Sequence, residues 1–472
     1  MSAPAPPPVI SVSELVDGQR ISPFLIGVIA LGFVTQLGDG YDLTAAAYAA
    51  PGVIRAWHVK REFLAPVFSA SLFGMLIGAP AFGHVGDRYG RRIALIVAAV
   101  VCGLFTLGAS RAGSLPTLMG FRFLTGIGLG GLATNIVALM AEYAPARARA
   151  TLITVMFMGI TFGGMTPGLV TVLAPRADWR VLMLVGAVIP LAAAVLNALF
   201  LPESLKFLAA RGTAQAQVLA LARTMRPDLA LPDDTEFHFP PAPVKVRLRD
   251  LFEQKLKWIT PLVWALFITN LLVNFFISSW MPTVLRETGL SAGQAALTTS
   301  MYYVGGVVGG LTISRFLDRS GLGVVGVFMI AACPAVGLLG LPGYSALELK
   351  LVVFLVGVTV LGNQLGLNAV AGLCYPTAIR ANGVGWALGV GRVGAIIGPL
   401  AAGQLLAMRL PLQYLFLAPI PPLAIGAVAA FFLRPLARDR FGGGRRQANT
   451  PDVHMGQPLS SGVTSAVRPA AR

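Results

Sequence analysis

Charged residues are scarce in this sequence: Asp, Glu, Lys and Arg make up only 12% of its 472 residues, whereas hydrophobic residues make up 56%. A typical water-soluble domain has about 25% charged residues, so the composition excludes an ordinary soluble protein. The mean hydropathy of +0.74 agrees with this exclusion. The sequence therefore predicts an integral membrane protein whose main solvent is the lipid bilayer.

Cysteine and histidine are also rare. The three cysteines (Cys102, Cys333 and Cys374) have no paired spacing, and the four histidines are scattered from His58 to His454. Metal sites and disulfide frameworks need such residues in groups, so we expect no metal, no disulfide framework and no cofactor. No nucleophile with a neighbouring base stands out either, which argues against a membrane enzyme.

Long apolar segments fill most of the chain. Windows of about 20 residues, long enough to cross ~30 Å of hydrocarbon, recur in two groups of six. The windows are residues 24–48, 63–85, 93–111, 116–141, 151–174, 180–201, 258–281, 293–314, 323–342, 347–374, 382–407 and 412–433. The predicted fold class is all-α integral membrane, with twelve transmembrane helices arranged as two six-helix halves.

This pattern predicts five regions along the chain. They are a cytoplasmic N-terminal segment (1–22), the first half (23–201), a cytoplasmic central loop (202–257), the second half (258–433) and a disordered basic cytoplasmic tail (434–472). An even number of spans puts both termini on one side, and the excess of Lys and Arg there assigns that side to the cytoplasm. The net charge of +16 is thus explained by topology, and we expect no nucleic-acid partner.

The two halves share the spacing of short motifs. The loop "GHVGDRYGRR" follows the second span and "SRFLDRSGLG" follows the eighth, so that Asp318 stands 231 positions after Asp87. Arg380 stands at the same offset from Arg149. Repeated six-helix halves are typical of secondary transporters, which bind their substrate between the halves near mid-membrane and expose it to each side in turn.

Several motifs resemble those of a known family. The segments "GHVGDRYGRR" and "RFLTGIGLGG" resemble the loop and fourth-helix motifs of the major facilitator superfamily. Within that superfamily, four further segments resemble motifs of the aromatic acid:proton symporter family: "DGYD", "EYAPARARATL", "PESLKFL" and "YPTAIRANGVGWALGVGRVGAIIGP". The resemblance covers nearly all spans. It implies uptake of a benzoate-type acid together with protons, across a bacterial inner membrane, and we expect a monomer.

Two carboxylates in the first span are the candidates for proton coupling. Asp39 and Asp42 are three residues apart and so share a helix face, and Arg122 of the fourth span is expected at a similar depth. A charge inside the bilayer is costly unless it faces a cavity or a partner, and two close carboxylates favour protonation of one of them. The alternative is a permanent Asp/Arg ion pair that only joins two helices.

Arg392 is the candidate anchor for a substrate carboxylate. It is expected near mid-membrane in the eleventh span, and no acidic residue in the spans of the second half is available to neutralise it. A guanidinium can bind a carboxylate through two hydrogen bonds, although helix carbonyls or water are alternative partners.

Further polar and aromatic side chains complete the predicted substrate site. Asn270 and Asn274 share one helix face, and Gln364 and Asn368 share another. Polar residues in spans also join helices, and aromatic residues near span ends also form interfacial belts, so each has a purely structural alternative. The predicted substrate-binding set is Arg122, Arg392, Asn270, Asn274, Gln364, Asn368, Tyr302 and Trp386.

Charged residues in the cytoplasmic loops are the predicted gate. Ion pairs between helix ends can hold one conformation and break in the other, although the arginines also mark topology. The set is Asp87, Arg88, Arg91, Arg92, Glu142 and Arg149 in the first half, with Asp318, Arg319 and Arg380 in the second.

The direction of transport is predicted from one motif. The superfamily's antiporter signature places a Gly-Pro step in the fifth helix, whereas the fifth span here reads "GITFGGMTPG" and the Gly398-Pro399 step lies in the eleventh. The sequence therefore favours a proton symporter that imports an aromatic or similar cyclic carboxylate. A proton-coupled exporter of organic acids, a transporter of a non-aromatic organic acid and a membrane sensor remain the alternatives.

Overall fold

Helices run through every apolar segment named above. The computed structural model describes residues 9–210, 215–229, 231–233, 235–238, 247–376 and 379–447. In and before the first half the helices are α1 (Val12–Asp17), α2 (Pro23–Trp57), α3 (Ala65–Tyr89), α4 (Arg91–Ser110), α5 (Leu115–Tyr143), α6 (Arg149–Leu173) and α7 (Trp179–Phe200), with a 3₁₀ turn at Arg61–Leu64.

The central segment and the second half continue the pattern. The central helices are α8 (Leu205–Ala210) and α9 (Gln215–Met225), followed by a 3₁₀ turn at Leu248–Phe252. The second half contains α10 (Leu256–Glu287), α11 (Ala292–Ser320), α12 (Gly323–Leu338), α13 (Ala346–Val356), α14 (Gly362–Cys374), α15 (Arg380–Ala407), α16 (Leu412–Leu417) and α17 (Ile420–Gln447). A π-helical turn at Gly357–Leu361 joins α13 to α14.

The bundle has the dimensions of a membrane protein. Ten helical segments in the described part of the chain are long and apolar enough to cross a bilayer. The other two predicted spans are also helical: α11 is not among the ten, and α12 is apolar but shorter. The predicted helical membrane fold is therefore confirmed, while the count of twelve crossings stays a prediction.

Glycines allow close helix packing, and they do so in the same way in both halves. A Cβ added to Gly126 of α5 would collide with the backbone carbonyl of Ser71 on α3. A Cβ added to Gly357 would collide with the carbonyl of Tyr302 in the same way. Gly357 stands 231 positions after Gly126, and Tyr302 stands 231 positions after Ser71. Small residues at such crossings are typical of membrane helices, because backbones must approach closely to pack.

The same offset holds for other contacts in the two halves. Gly163 packs on the carbonyl of Leu37, and Gly394 packs on that of Ile268. Ser114 and Ser345 both cap the helix that follows them, through hydrogen bonds from backbone amides. The repeat predicted from two loops is therefore a repeat of helix packing.

The two halves touch each other mainly at one end of the bundle. We call the end that carries Pro23, Phe200 and Leu256 the terminal side, the other end the opposite side, and the contact surface between the halves the seam. The apolar cluster that both halves share contains Phe68 and Trp280, whose rings meet edge to face at 5.2 Å. A separate cluster toward the terminal side consists of second-half residues and their flanking segment alone.

The polar contacts across the seam follow the same distribution. Ser69 Oγ donates to the carbonyl of Ile396 at 2.8 Å, and the hydroxyls of Tyr48 and Ser300 lie 3.5 Å apart. The described contacts between the halves therefore lie at mid-depth and on the opposite side.

The N-terminal and central segments form a small cap on the first half. Strand β1 (Val9–Ser11) pairs in parallel with β2 (Glu236–His238), and Leu15 and Met225 are buried beneath them with the end of α5. The sequence analysis treated these segments as separate loops. Their pairing was not visible because each contributes only a few apolar residues, which are far apart in the chain.

The C-terminal region also differs from its prediction. Helix α17 continues to Gln447, so residues 434–447 are helical where the sequence predicted disorder. The remainder of the predicted tail, residues 448–472, lies outside the described residues.

Candidate transport site

Arg122 and Asp42 form a buried ion pair inside the first half. Arg122 Nη1 donates to both carboxylate oxygens of Asp42, at 2.7 and 2.8 Å, and Nη2 donates to the Asp42 carbonyl at 3.0 Å. The exposed fractions of the two residues are 1% and 0%. Charge-assisted hydrogen bonds of this kind are strong, so α2 and α5 are held together at this point.

Neighbouring hydroxyls complete the ion pair. Thr106 Oγ1 donates to Asp42 Oδ1 at 3.2 Å and lies 3.2 Å from the hydroxyl of Thr125. Ser71 Oγ donates to the carbonyl of Arg122 at 2.9 Å. This is the Asp/Arg pair that the sequence left open as the alternative, and its two members bind each other, while the buried Nε of Arg122 has no acceptor among the described residues.

Asp39 has a different environment, although it lies one helical turn away. It is only 2% exposed, and it makes no hydrogen bond or salt bridge with a described residue. One turn toward the terminal side, Gln36 is fully buried, and neither side-chain polar atom has a hydrogen-bond partner among the described residues. The sequence predicted both aspartates at a depth similar to that of Arg122, and in the structure it is Asp42 that forms the ion pair with this arginine.

Arg392 reaches across the seam from the second half. Its Nη1 donates to the carbonyl of Met75 on α3 at 3.1 Å, and its electrostatic partner is Asp39 of the first half. No salt bridge within 4 Å links Arg392 to a described acid. The acid missing from the second half is thus supplied by the first, at more than 4 Å.

A polar cluster lies on the second-half face of the seam. Asn270 Nδ2 donates to Gln364 Oε1 at 2.8 Å, and Asn363 Nδ2 donates to Asn270 Oδ1 at 3.0 Å. Tyr302 donates to Asn274 Oδ1 at 2.5 Å. The structure thereby brings four predicted substrate residues into hydrogen-bonded pairs.

The two remaining predicted residues lie apart from these pairs. Asn368 Oδ1 is buried and has no partner among the described residues. Trp386 is 43% exposed and stacks on Trp264 with ring centroids 6.4 Å apart. Trp386 therefore lies at the terminal-side end of α15, and the structure does not bring it together with Arg392.

The predicted gate residues of the first half bind within that half. Arg91 forms an ion pair with Asp87 and donates to Asn135 Oδ1 at 3.3 Å. The backbone amide of Arg92 donates to Glu203 Oε1 at 3.1 Å. These contacts join α3, α4, α5 and the chain after α7, so they stiffen the first half as one body.

Other gate residues are held by the cap and by nearby loops. Arg149 donates to the carbonyl of Ala144 at 3.1 Å and lies 3.7 Å from Asp17 of α1. Ser204 donates to Glu142, and the guanidinium of Arg88 lies 5.4 Å from the ring of Tyr89.

The second-half gate residues are described only in part. Arg380 donates to the carbonyl of Tyr375 at 3.4 Å, which repeats the contact of Arg149 with Ala144. The side chains of Asp318 and Arg319 lie outside the part of the structure that can be described.

Several residues of the seam were missed by the sequence analysis. Arg61 forms an ion pair with Glu287 across the seam on the opposite side, and Asn363 belongs to the polar cluster. Gln36 would have been found by the same search that found Asn270, a polar residue within a span. Arg61 and Glu287 carry no such signal, because charged residues in loops are common.

Two repeated helical halves that carry opposite charges at mid-depth are typical of secondary transporters. The model of the Major Facilitator Superfamily matches residues 32–370 and 263–469. The chain belongs to the Major Facilitator Superfamily. It is a multi-pass membrane transporter and not an enzyme.

Curated relatives extend over most of the chain. It is 35% identical over 419 residues to a gallate transporter of Pseudomonas putida, covering 87% of this chain and 92% of the relative. It is 33% identical over 445 residues to the 4-hydroxybenzoate transporter PcaK of Pseudomonas aeruginosa, covering 92% and 98%. A benzoate transport protein of Acinetobacter baylyi is 29% identical over 439 residues, covering 90% and 92%.

Solved structures agree with the fold. The crystal structure of a D-xylose-proton symporter matches with a TM-score of 0.67 at 17% identity, covering 87% of this chain and 97% of that one. The xylose transporter XylE from E. coli, in a partially occluded inward-open conformation, matches with a TM-score of 0.68 at 17% identity, covering 88% and 98%. At this identity the likeness concerns the fold alone.

Proposed function

We propose that this protein imports an aromatic carboxylate together with protons across a bacterial inner membrane. The observation that carries the proposal is the arrangement of Asp39 and Arg392, which face each other from opposite halves near the point where the halves part. Neither has a hydrogen-bonded side-chain partner among the described residues. A charge inside the membrane without a fixed partner is typical of a transport pathway.

Arg392 is the group proposed to bind the substrate carboxylate. Its guanidinium uses one donor on the Met75 carbonyl, which leaves the planar fork free for a second acceptor. A carboxylate bound there forms charge-assisted hydrogen bonds. Arg122 is excluded from this role while the present conformation lasts, because Asp42 occupies its fork.

Asp39 is the group proposed to carry the coupled proton. A carboxylate bound to Arg392 brings a second negative charge close to Asp39, and two neighbouring carboxylates hold one proton between them more readily than none. Substrate binding and proton binding thereby favour each other, and this coupling must be reciprocal.

The polar cluster is proposed to recognise the ring and its substituents. Asn274 and Tyr302 can exchange their mutual hydrogen bond for bonds to a ring hydroxyl, and Asn270 and Gln364 can do the same. Names of relatives include gallate and 4-hydroxybenzoate, which are hydroxylated aromatic acids. A substrate without a ring hydroxyl would leave these buried polar groups unpaired, and the site would therefore favour hydroxylated acids.

Alternating access is proposed to move the two halves as rigid bodies. The described contacts between the halves lie at mid-depth and on the opposite side, so we take the terminal side as the open one. The Lys and Arg excess predicts that this side is cytoplasmic. The described contacts of Asp87, Arg91 and Arg149 are with the first half and its cap. We expect this group to form contacts across the seam when the terminal side closes.

Uptake into vesicles tests the proposed function. Purified protein is reconstituted into liposomes, and labelled 4-hydroxybenzoate is added with an acid-outside proton gradient. We expect accumulation that a protonophore abolishes. Extrusion driven by the opposite gradient would indicate an exporter, and binding without flux would indicate a sensor.

A further inference from the structure

A cleft lies on the opposite side of the molecule, outside the contacts that close the seam. It has a volume of about 70 Å³ and is partly open to solvent. Tyr48 and Arg55 of α2 and Trp179 of α7 line it from the first half, and Arg286 of α10 lines it from the second. The proposed transport site does not include any of these residues.

The cleft carries two positive charges that are not neutralised. Arg55 Nε donates to the carbonyl of Pro51 at 3.2 Å, and Arg286 Nη1 donates to that of Leu290 at 3.4 Å. Neither forms a salt bridge with a described residue. Asp178 also lines the cleft, but it pairs with Arg180 at 3.2 Å.

The walls of the cleft suit an aromatic ring. Trp179 packs edge to face on Trp57 with centroids 5.4 Å apart, and its buried Nε1 has no acceptor among the described residues. Tyr48 forms the inner wall, where its hydroxyl lies 3.5 Å from Ser300 Oγ. The guanidinium of Arg180 lies 4.6 Å from the Trp179 ring, and Trp179 and Tyr48 are 5% and 7% exposed. They offer a small aromatic surface next to guanidinium groups, the combination that an aromatic carboxylate requires.

The cleft also lies beyond the transport site along the axis of α2. Tyr48 and Asp39 are both on α2 and nine residues apart, which corresponds to about 13 Å along the helix. The Tyr48 contact with Ser300 and the apolar cluster around Phe68 separate the two places in this conformation. A ligand in the cleft would therefore wait immediately outside the closed end of the seam.

We infer that this cleft is a second, outer binding site for the aromatic carboxylate, held by Arg55 and Arg286 before the halves open on this side. The inference rests on the proposed function, because it takes the same substrate class. Positive charge at the mouth of a pathway also raises the local concentration of an anion. Passage to Arg392 then follows when the seam opens.

Equilibrium binding tests the number of sites. Labelled 4-hydroxybenzoate is titrated into purified protein in detergent at neutral pH and low salt. We expect two sites in the unaltered protein, one in Arg55→Gln/Arg286→Gln and one in Arg392→Gln. An unchanged number of sites in the cleft variant would overturn the inference.

Uptake kinetics give the second readout. At low salt we expect the KM of Arg55→Gln/Arg286→Gln to rise at least about threefold with little change in maximal rate, since removing such charges slows association. The matched control is Arg111→Gln/Lys350→Gln, which removes two positive charges from the same side without touching the cleft. Equal KM changes in both variants would also overturn the inference.

The two proposals fail in different ways. If the unaltered protein neither binds nor accumulates an aromatic acid, the proposed function and the outer site both fall. If it accumulates the acid and has a single binding site that Arg392→Gln removes, only the outer site falls.

Discussion

The two halves of this protein pack alike but differ in charge at equivalent positions. At the offset of 231 residues, Asp42 and Arg122 correspond to Val273 and Val353, both of which are fully buried. The second half therefore packs the same helices around two valines. The fold itself does not need an ion pair at this place, so the pair in the first half serves another purpose, which we propose is transport.

The groups at the seam show the same asymmetry. Asp39 corresponds to Asn270, and Arg392 corresponds to Thr161. Each half thus contributes one charged group where the other half has a neutral polar one. The resulting pair of opposite charges from different halves is suited to bind one proton and one anion between them.

Exchanging the first-half ion pair for its second-half counterpart is the strongest test of this comparison. Asp42→Val alone leaves the buried Arg122 without a partner, and we expect it to lower the free energy of unfolding by about 3–5 kcal/mol. Asp42→Val/Arg122→Val copies the second half and is expected to recover most of that loss. Thermal unfolding in detergent measures both.

The double variant also separates packing from transport. We expect it to fold but to transport poorly, because the rearrangement that frees Arg122 is lost. Normal uptake by a stable double variant would show that the ion pair is dispensable for transport. A double variant as unstable as the single one would show that the halves are not equivalent here.

Removing the proposed substrate anchor should have the next largest effect. Truncating one partner of a buried charge pair costs about 2–5 kcal/mol of binding, so we expect Arg392→Gln to weaken substrate binding roughly 30-fold or more. Arg392→Lys keeps the charge but loses the planar fork. Its KM should lie between the KM of the unaltered protein and that of Arg392→Gln. Uptake kinetics across a range of substrate concentrations measure this, and unchanged KM values would contradict the anchor role.

The cap on the terminal side should have a smaller effect. Asp17 accepts a hydrogen bond from the Ala146 amide at 2.7 Å and lies 3.7 Å from Arg149, so Asp17→Ala should cost about 1 kcal/mol in local stability. Amide hydrogen exchange of the loop at residues 144–148 reports this loss. Glu14→Ala is the control, since Glu14 lies on the same short helix; equal exchange in both variants would count against the contact.

The ion pair between Arg61 and Glu287 should have the smallest effect. It joins the halves on the opposite side but is partly exposed, so its contribution is about 0.2–1 kcal/mol. Arg61→Gln should shift the balance between the two conformations by no more than about fivefold. Spin-label distances across the seam measure the shift. If the pair acts as one unit, adding Glu287→Gln should cause little further change, whereas additive shifts would contradict this.

The sequence predicts the fold well because the membrane imposes strong constraints. Apolar length fixes each helix, and the offset between Asp87 and Asp318 reveals the repeat that Gly126 and Gly357 later show in atomic contacts. The cap was missed because its strands pair residues more than 200 positions apart. The segments that form the cap contain few apolar side chains that could have indicated it.

The candidate site was only partly predictable for a similar reason. Residue type and depth identified Asp39, Asp42, Arg122 and Arg392. The choice of partners depends on helix rotation and crossing, which single-sequence patterns do not fix, so the separation of Asp39 from the Asp42 pair was missed. Trp386 was placed near the substrate by residue type alone.

The most direct measurement compares two modes of transport in Asp39→Asn, whose side chain resembles a permanently protonated aspartate. We expect vesicles loaded with unlabelled 4-hydroxybenzoate to exchange it for labelled acid at a near-normal rate, while accumulation driven by an acid-outside gradient is lost. Normal gradient-driven accumulation by Asp39→Asn would contradict the role of Asp39 as the proton carrier.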